Sequence, residues 1–272
     1  MEVAVTAGWW VVTATAVVAL LLLLGALACL TRRGSMPGRS ATTLPAALGV
    51  AGMLVALAAG VFALVADDEA LDRTDQPVLG WLVAHRTPGW TGVAEAASLY
   101  GGTVGTGGLA VVSALVLWLR GRRGRAVVWI GAVLVGSLTI RGLKGLVERP
   151  RPPLVTRLTV ETSTSLPSGH SLMAVLGLGL TVIAVLALVP GDGAHRHRRA
   201  AVRAATVLGG AVLALGIGLS RAYLGVHWTT DVLAGWLLGG ALLALAVGTA
   251  AVVEGRTPEI HSSEGVPASP LR

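Results

Sequence analysis

Seven long apolar runs constrain this chain more than any other feature, at about residues 9–30, 44–66, 97–119, 126–147, 171–189, 202–220 and 229–253. Each is close to the ~20 apolar residues that an α-helix needs to cross a bilayer. Inside hydrocarbon the backbone must satisfy its own hydrogen bonds, so runs of this length predict an all-α, polytopic transmembrane helix bundle. Composition agrees: 54% of the residues are hydrophobic and 13% are charged, which is too apolar for an ordinary soluble domain.

The chain carries a formal net charge of +7, but its arginines stand in short runs between the apolar segments. That distribution signals membrane topology and excludes a basic face for nucleic acid. Arg32, Arg33 and Arg39 follow the first run, Arg120, Arg122, Arg123 and Arg125 the third, and Arg196, Arg198, Arg199 and Arg203 the fifth. By the positive-inside rule these links are cytoplasmic, and links 67–96, 148–170 and 221–228 face outward. The same alternation puts the N-terminus outside and the tail 254–272 in the cytoplasm. Pro258, Pro267 and Pro270 predict disorder in that tail. The single cysteine, Cys29, excludes an intramolecular disulfide framework and a thiolate metal cluster. The first run, with its "GALAC", has the look of an export signal, but no basic residue precedes it. A retained helix is therefore expected. The organisation read from these features is a hydrophobic helix and basic link over 1–43, a membrane domain over 44–253, and the tail.

Link 67–96 opens with Asp67, Asp68, Glu69, Asp72 and Asp75. Their spacing matches no calcium loop, and they read as a solvated acidic stretch. The following residues, with Trp81 and Trp90, suit a helix lying at the membrane interface.

Three stretches on the outward links carry chemistry. The first, "RGLKGLVERPRPP" at 141–153, holds the only lysine, Lys144, among twenty arginines. Lys144, with Arg141, Arg149 and Arg151, crowds a membrane edge where cations are costly without a partner, and an anion site explains them. In the second, "LPSGHS" at 166–171, Pro167, Ser168 and Gly169 turn into the fifth span. Backbone N–H groups and the Ser168 hydroxyl there face outward at a positive dipole end, beside His170, a candidate acid or base. In the third, "LSRAYLGVHWTTD" at 219–231, His227 and Asp231 stand four apart and share a face if the seventh helix begins by His227. The carboxylate then holds one ring nitrogen and frees the other as a nucleophile, while Arg221 offers a fork for phosphate oxygens. These residues do not by themselves say which histidine attacks.

In order and at full spacing, K-x6-RP, PSGH and SR-x5-H-x3-D resemble the three-part signature of the type 2 phosphatidic acid phosphatase and vanadium haloperoxidase superfamily. The resemblance spans roughly residues 75–250 and fills every signature position. It implies a six-helix phosphatase core, to which this chain adds one N-terminal hydrophobic helix. It implies a phosphate cradle of Lys144, Arg151, Arg221, Ser168 and the Gly169 amide. It further implies His227 as nucleophile forming a phosphohistidine, Asp231 as its orienting partner, and His170 as the acid for the leaving oxygen.

Phosphoryl transfer needs positioning and charge stabilisation, which such a cradle supplies. Near the motifs only Glu148 and Glu161 stand besides Asp231, too few for a two-metal clamp, so neither metal nor cofactor is expected. The expected substrate is a lipid phosphate or polyprenyl pyrophosphate in the plasma (inner) membrane, met at the extracytoplasmic face, with Glu148, Arg149 and Arg157 tuning headgroup choice. Two rivals are a lipid phosphotransferase on the same site and a lipid transporter or flippase. The spans show no midplane relay of charge for the latter.

Overall fold

The computed structural model describes residues 2–31, 40–67, 71–188 and 196–255, so the proposed disordered tail falls almost wholly outside it. The helices are α1 (Glu2–Thr31), α2 (Ser40–Val65), the short α3 (Gln76–Ala84), α4 (Pro88–Tyr100), α5 (Thr103–Leu119), α6 (Arg123–Val147), α7 (Gly169–Leu188), α8 (Arg196–Tyr223) and α9 (Thr229–Gly255). The described residues form an all-α, multi-pass membrane bundle. Five helices are long and apolar enough to cross a membrane, and α4 with α5 makes a sixth span bent by 48°. The third apolar run therefore enters a longer element than its composition marks. Its helix begins at Pro88 and breaks at Gly101 and Gly102, where a side chain at Gly101 would meet Ile217 of α8 at 2.3 Å.

Helices in lipid gain little from hydrophobic exclusion and associate through close contact of small residues. On α9, a Cβ at Gly235 would lie 2.7 Å from the Ser168 carbonyl, and one at Gly239 would lie 2.5 Å from the Leu172 carbonyl. The α7 and α9 backbones thus touch directly. Around that contact Leu172, Met173, Leu176, Leu180 and Leu238 form the core with Trp129 of α6, whose indole N–H donates to the Leu180 carbonyl at 2.9 Å. A π-helical turn at Ala174–Leu178 interrupts α7 beside this core. The extra helix α1 packs mainly along α2, through Ala19 against Ala51 and Val55, and α2 in turn leans on α9 through Ala241.

The chain ends that carry the three motifs meet at one end of the bundle: the C-termini of α6 and α8 and the N-termini of α7 and α9. At the opposite end Arg125 pairs with Glu254, joining α6 to α9. The loop between α6 and α7 roofs the motif end. Arg86 ties it down by donating to the carbonyls of Thr156 at 2.8 Å and Tyr223 at 2.7 Å. The link after α2 does not stay solvated as a whole. Asp75, the last acid of its cluster, is 1% exposed and points inward, with consequences for the site below.

Candidate active site

Helix α6 ends at Glu148, whose left-handed backbone (φ 47°) turns the chain so that Arg149 enters the protein and Glu148 faces out. One turn earlier the Lys144 ammonium donates to the Thr164 carbonyl. Arg151 reaches the same carbonyl at 3.3 Å and also bonds the carbonyls of Ser163 at 2.6 Å and Val226 at 2.5 Å. Arg221, on the last turn of α8, donates to the Ser98 hydroxyl and to the Glu161 carboxylate. Glu161 lies 3.6 Å from Arg151 as well. Lys144, Arg151 and Arg221 thus converge, through shared acceptors, on one small region. Burial raises the affinity of Glu161 for a proton, but Arg221 and Arg151 outweigh it and hold the carboxyl below its ordinary range. Three cations face a single carboxylate there, and the Arg221 Nε is a buried donor with no partner among the described residues.

Ser168 caps α7. Its Oγ accepts from the Ser171 hydroxyl at 2.9 Å and from the Ser171 amide at 3.4 Å. In both bonds it is the acceptor, which leaves its hydroxyl hydrogen to donate elsewhere. Gly169 is buried against Ile140 and Thr103, and a Cβ there would sit 3.4 Å from each. His170 lies beside Gly102 of the α4–α5 break, its Nε2 3.4 Å from where a Gly102 side chain would begin.

The third motif reverses the chain at Gly225. That residue has φ 71°, and a Cβ on it would lie 2.2 Å from the Thr156 carbonyl, so glycine is required twice over. The amides of Val226 and His227 both turn back to the Arg221 carbonyl. Helix α9 begins at Thr229, two residues later than the expected start by His227. The reversal, not a shared helical face, therefore brings the His227 Nδ1 to 3.4 Å from Asp231 Oδ2. Asp231 Oδ2 also accepts from the Trp228 amide at 2.9 Å, closing the first turn of α9 as a capping box does, and from the Ser165 hydroxyl.

The other ring nitrogen, His227 Nε2, lies 3.2 Å from the Arg151 Nη1. A guanidinium only donates, so Nε2 is the acceptor and the ring proton sits on Nδ1, toward Asp231. Burial pushes the His227 pKa down to about 4, against the pull of Asp231. The imidazole is therefore neutral near neutral pH, with its lone pair aimed at the cradle.

All eight residues singled out in the sequence meet at this end of the bundle: Lys144, Arg151, Ser168, Gly169, His170, Arg221, His227 and Asp231. Residues 125–252, which contain all eight, match the family model described as PAP2 superfamily. Over this stretch, just under half of the chain, the sequence is similar to the PAP2 superfamily. The chain is 37% identical over 93 residues to phosphatidylglycerophosphatase B of Bacillus subtilis (strain 168), an alignment covering 34% of this chain and 42% of the relative. The aligned part thus spans less than half of that relative's length. The crystal structure of a transmembrane PAP2 type phosphatidylglycerolphosphate phosphatase from Bacillus subtilis superposes with a TM-score of 0.61, over 74% of this chain and 93% of that one. At 24% identity the superposition shows a shared PAP2 fold.

Other residues at the site have partners that the sequence did not indicate. Arg149 was expected at the headgroup; it is buried and bonded to Asp231 and Asp75 instead. Arg157 bonds the Pro152 carbonyl at 2.7 Å and braces the loop. Glu161 and Ser98 belong to the surroundings of Arg221. Nothing in the spacing of these residues marks them, because their partners lie far away in the chain.

Proposed function

We propose that this protein is an integral membrane phosphatase that hydrolyses a lipid phosphate or polyprenyl pyrophosphate at the extracytoplasmic face, through a phosphohistidine and without metal. The observation that carries the reading is the meeting of an excess of positive charge with a neutral His227 whose Nε2 lone pair borders it.

In the proposed reaction the phosphoryl group displaces Glu161 from Arg221 and Arg151, and Lys144 neutralises a further oxygen. The Ser168 hydroxyl and the Gly169 amide donate to the same group from the start of α7. The His227 Nε2 attacks phosphorus, a P–N bond forms, and the bond to the leaving oxygen breaks as His170 gives that oxygen a proton. Positive charge develops on the ring, and Asp231 stabilises it through the Nδ1 proton, which stays in place. Water then attacks the phosphohistidine, with His170 now taking the proton. Metal-free chemistry is supported by how the local acids are spent: Asp75 and Asp231 on Arg149, and Glu161 on Arg221.

The name of the Bacillus relative makes phosphatidylglycerol phosphate the first substrate to try. Purified protein in detergent with excess EDTA should release phosphate from it, or from phosphatidate or undecaprenyl pyrophosphate, and His227→Ala should lose at least ~10³-fold of the rate. A strict requirement for magnesium would remove the metal-free mechanism. No release from any lipid, with phosphate passed to an added alcohol, would make the protein a phosphotransferase.

A further inference from the structure

Behind the His227–Asp231 pair lies a buried ionic group that the cradle does not use. Arg149 Nη1 donates to Asp231 Oδ1 at 2.5 Å and to the Thr230 hydroxyl at 2.8 Å, and its Nη2 donates to Asp75 Oδ2 at 2.8 Å. Asp75 accepts in addition from the Thr230 amide at 2.9 Å and the Thr230 hydroxyl at 2.5 Å. Asp75, Arg149 and Asp231 are 1%, 6% and 0% exposed. Asp75 comes from the segment before α3, outside the PAP2 stretch at 125–252.

Two features of this arrangement bear on the chemistry. Arg149 claims Oδ1 of Asp231, so that Oδ2 alone faces the imidazole and the carboxylate cannot rotate away. Charge matters as much. Arg149 alone would cancel Asp231, leaving a neutral pair behind a histidine that must become positive during attack. Asp75 supplies the second carboxylate, and the trio keeps one net negative charge in a buried, weakly screened place. A buried trio of this kind is costly to assemble compared with apolar packing, so stability alone does not account for it.

We infer that Asp75 is a positioning residue for the His227–Asp231 pair, acting through Arg149. It fixes which oxygen of Asp231 faces the ring and leaves that carboxylate effectively anionic. The inference rests on the proposed role of His227.

Asp75→Asn is the informative variant, because its amide oxygen still accepts from the Thr230 N–H while the charge is gone. Its kcat should fall by roughly ten- to a hundredfold, with KM within about twofold of wild type because Lys144, Arg151 and Arg221 are untouched. Asp75→Glu, which restores the charge, should recover part of the rate. In Arg149→Met/Asp75→Asn the net charge behind His227 is again that of Asp231 alone, so the double variant should be no slower than Asp75→Asn. It also removes charge and countercharge together and thus carries the test if the single variant does not fold. A wild-type kcat in Asp75→Asn, or losses that multiply in the double variant, would overturn the proposal. A readout free of turnover separates this from failure of the phosphatase reading. In histidine-labelled protein, with His227 assigned by difference from His227→Ala, ring 15N shifts should show the Nδ1–H tautomer in wild type and a mixture in Asp75→Asn. Identical tautomers would sink the inference even if no lipid is hydrolysed.

Discussion

At the scale of single residues, the candidate site gathers three cations around one carboxylate, Glu161. Glu161 bonds Arg221 and approaches Arg151, where the proposed phosphate would sit. Glu161→Gln removes that competitor, and inorganic phosphate should then inhibit at roughly tenfold lower concentration, the worth of about one charge-assisted hydrogen bond; an inhibition assay checks this. The His227 ring makes a second prediction. Its pKa is lowered from the ordinary 6.5 to about 4, so the neutral form persists as pH falls through 6.5 and is lost only near 4. A 15N titration of wild-type protein should show no protonation of His227 between pH 7 and 5. A midpoint at the ordinary value would mean that the ring is more open to water than its 2% exposure implies.

At the scale of elements, the turn between α8 and α9 sets the geometry. Gly225 must adopt a positive φ and lie against Thr156, and a side chain there would also meet the Arg86 guanidinium at 2.9 Å. Gly225→Ala should therefore destabilise the protein by about 2–3 kcal/mol and displace His227 from Asp231. A drop in melting midpoint together with a loss of phosphate release checks it. The α4–α5 break matters in the same way. It lets α4 bring Ser98 to Arg221 and leaves Gly102 beside His170, where a straight helix would carry both away.

For the whole molecule, the question is which side of the membrane the motif end faces. The arginine-rich link between α5 and α6 and the Arg125–Glu254 pair lie at the other end of the bundle. If arginines mark the cytoplasm, the site opens outward. In a Cys29→Ser background, Val155→Cys, at a position that is 94% exposed on the roofing loop, should react with a membrane-impermeant thiol reagent in sealed, right-side-out vesicles. Gly121→Cys should react only after permeabilisation. The reverse pattern would turn the site toward the cytoplasm.

The helices and the candidate site residues were legible in the residue order because both are written locally. A span is a run of about twenty apolar residues, and each motif packs its side chains into one short stretch at a helix end. Six of the seven runs thus became membrane spans, and the eight candidate site residues lie together where the ends of four helices meet. What the residue order hid depends on pairs far apart in the chain. Asp75 and Thr230 are separated by 155 positions, and Arg149 and Asp231 by 82. Asp75 reads as one more acid in a polar cluster, and Arg149 as one more cation at a membrane edge. Only the folded bundle shows that they neutralise each other, because a buried charge is fixed by the nearest opposite charge in space, and no local spacing encodes that distance.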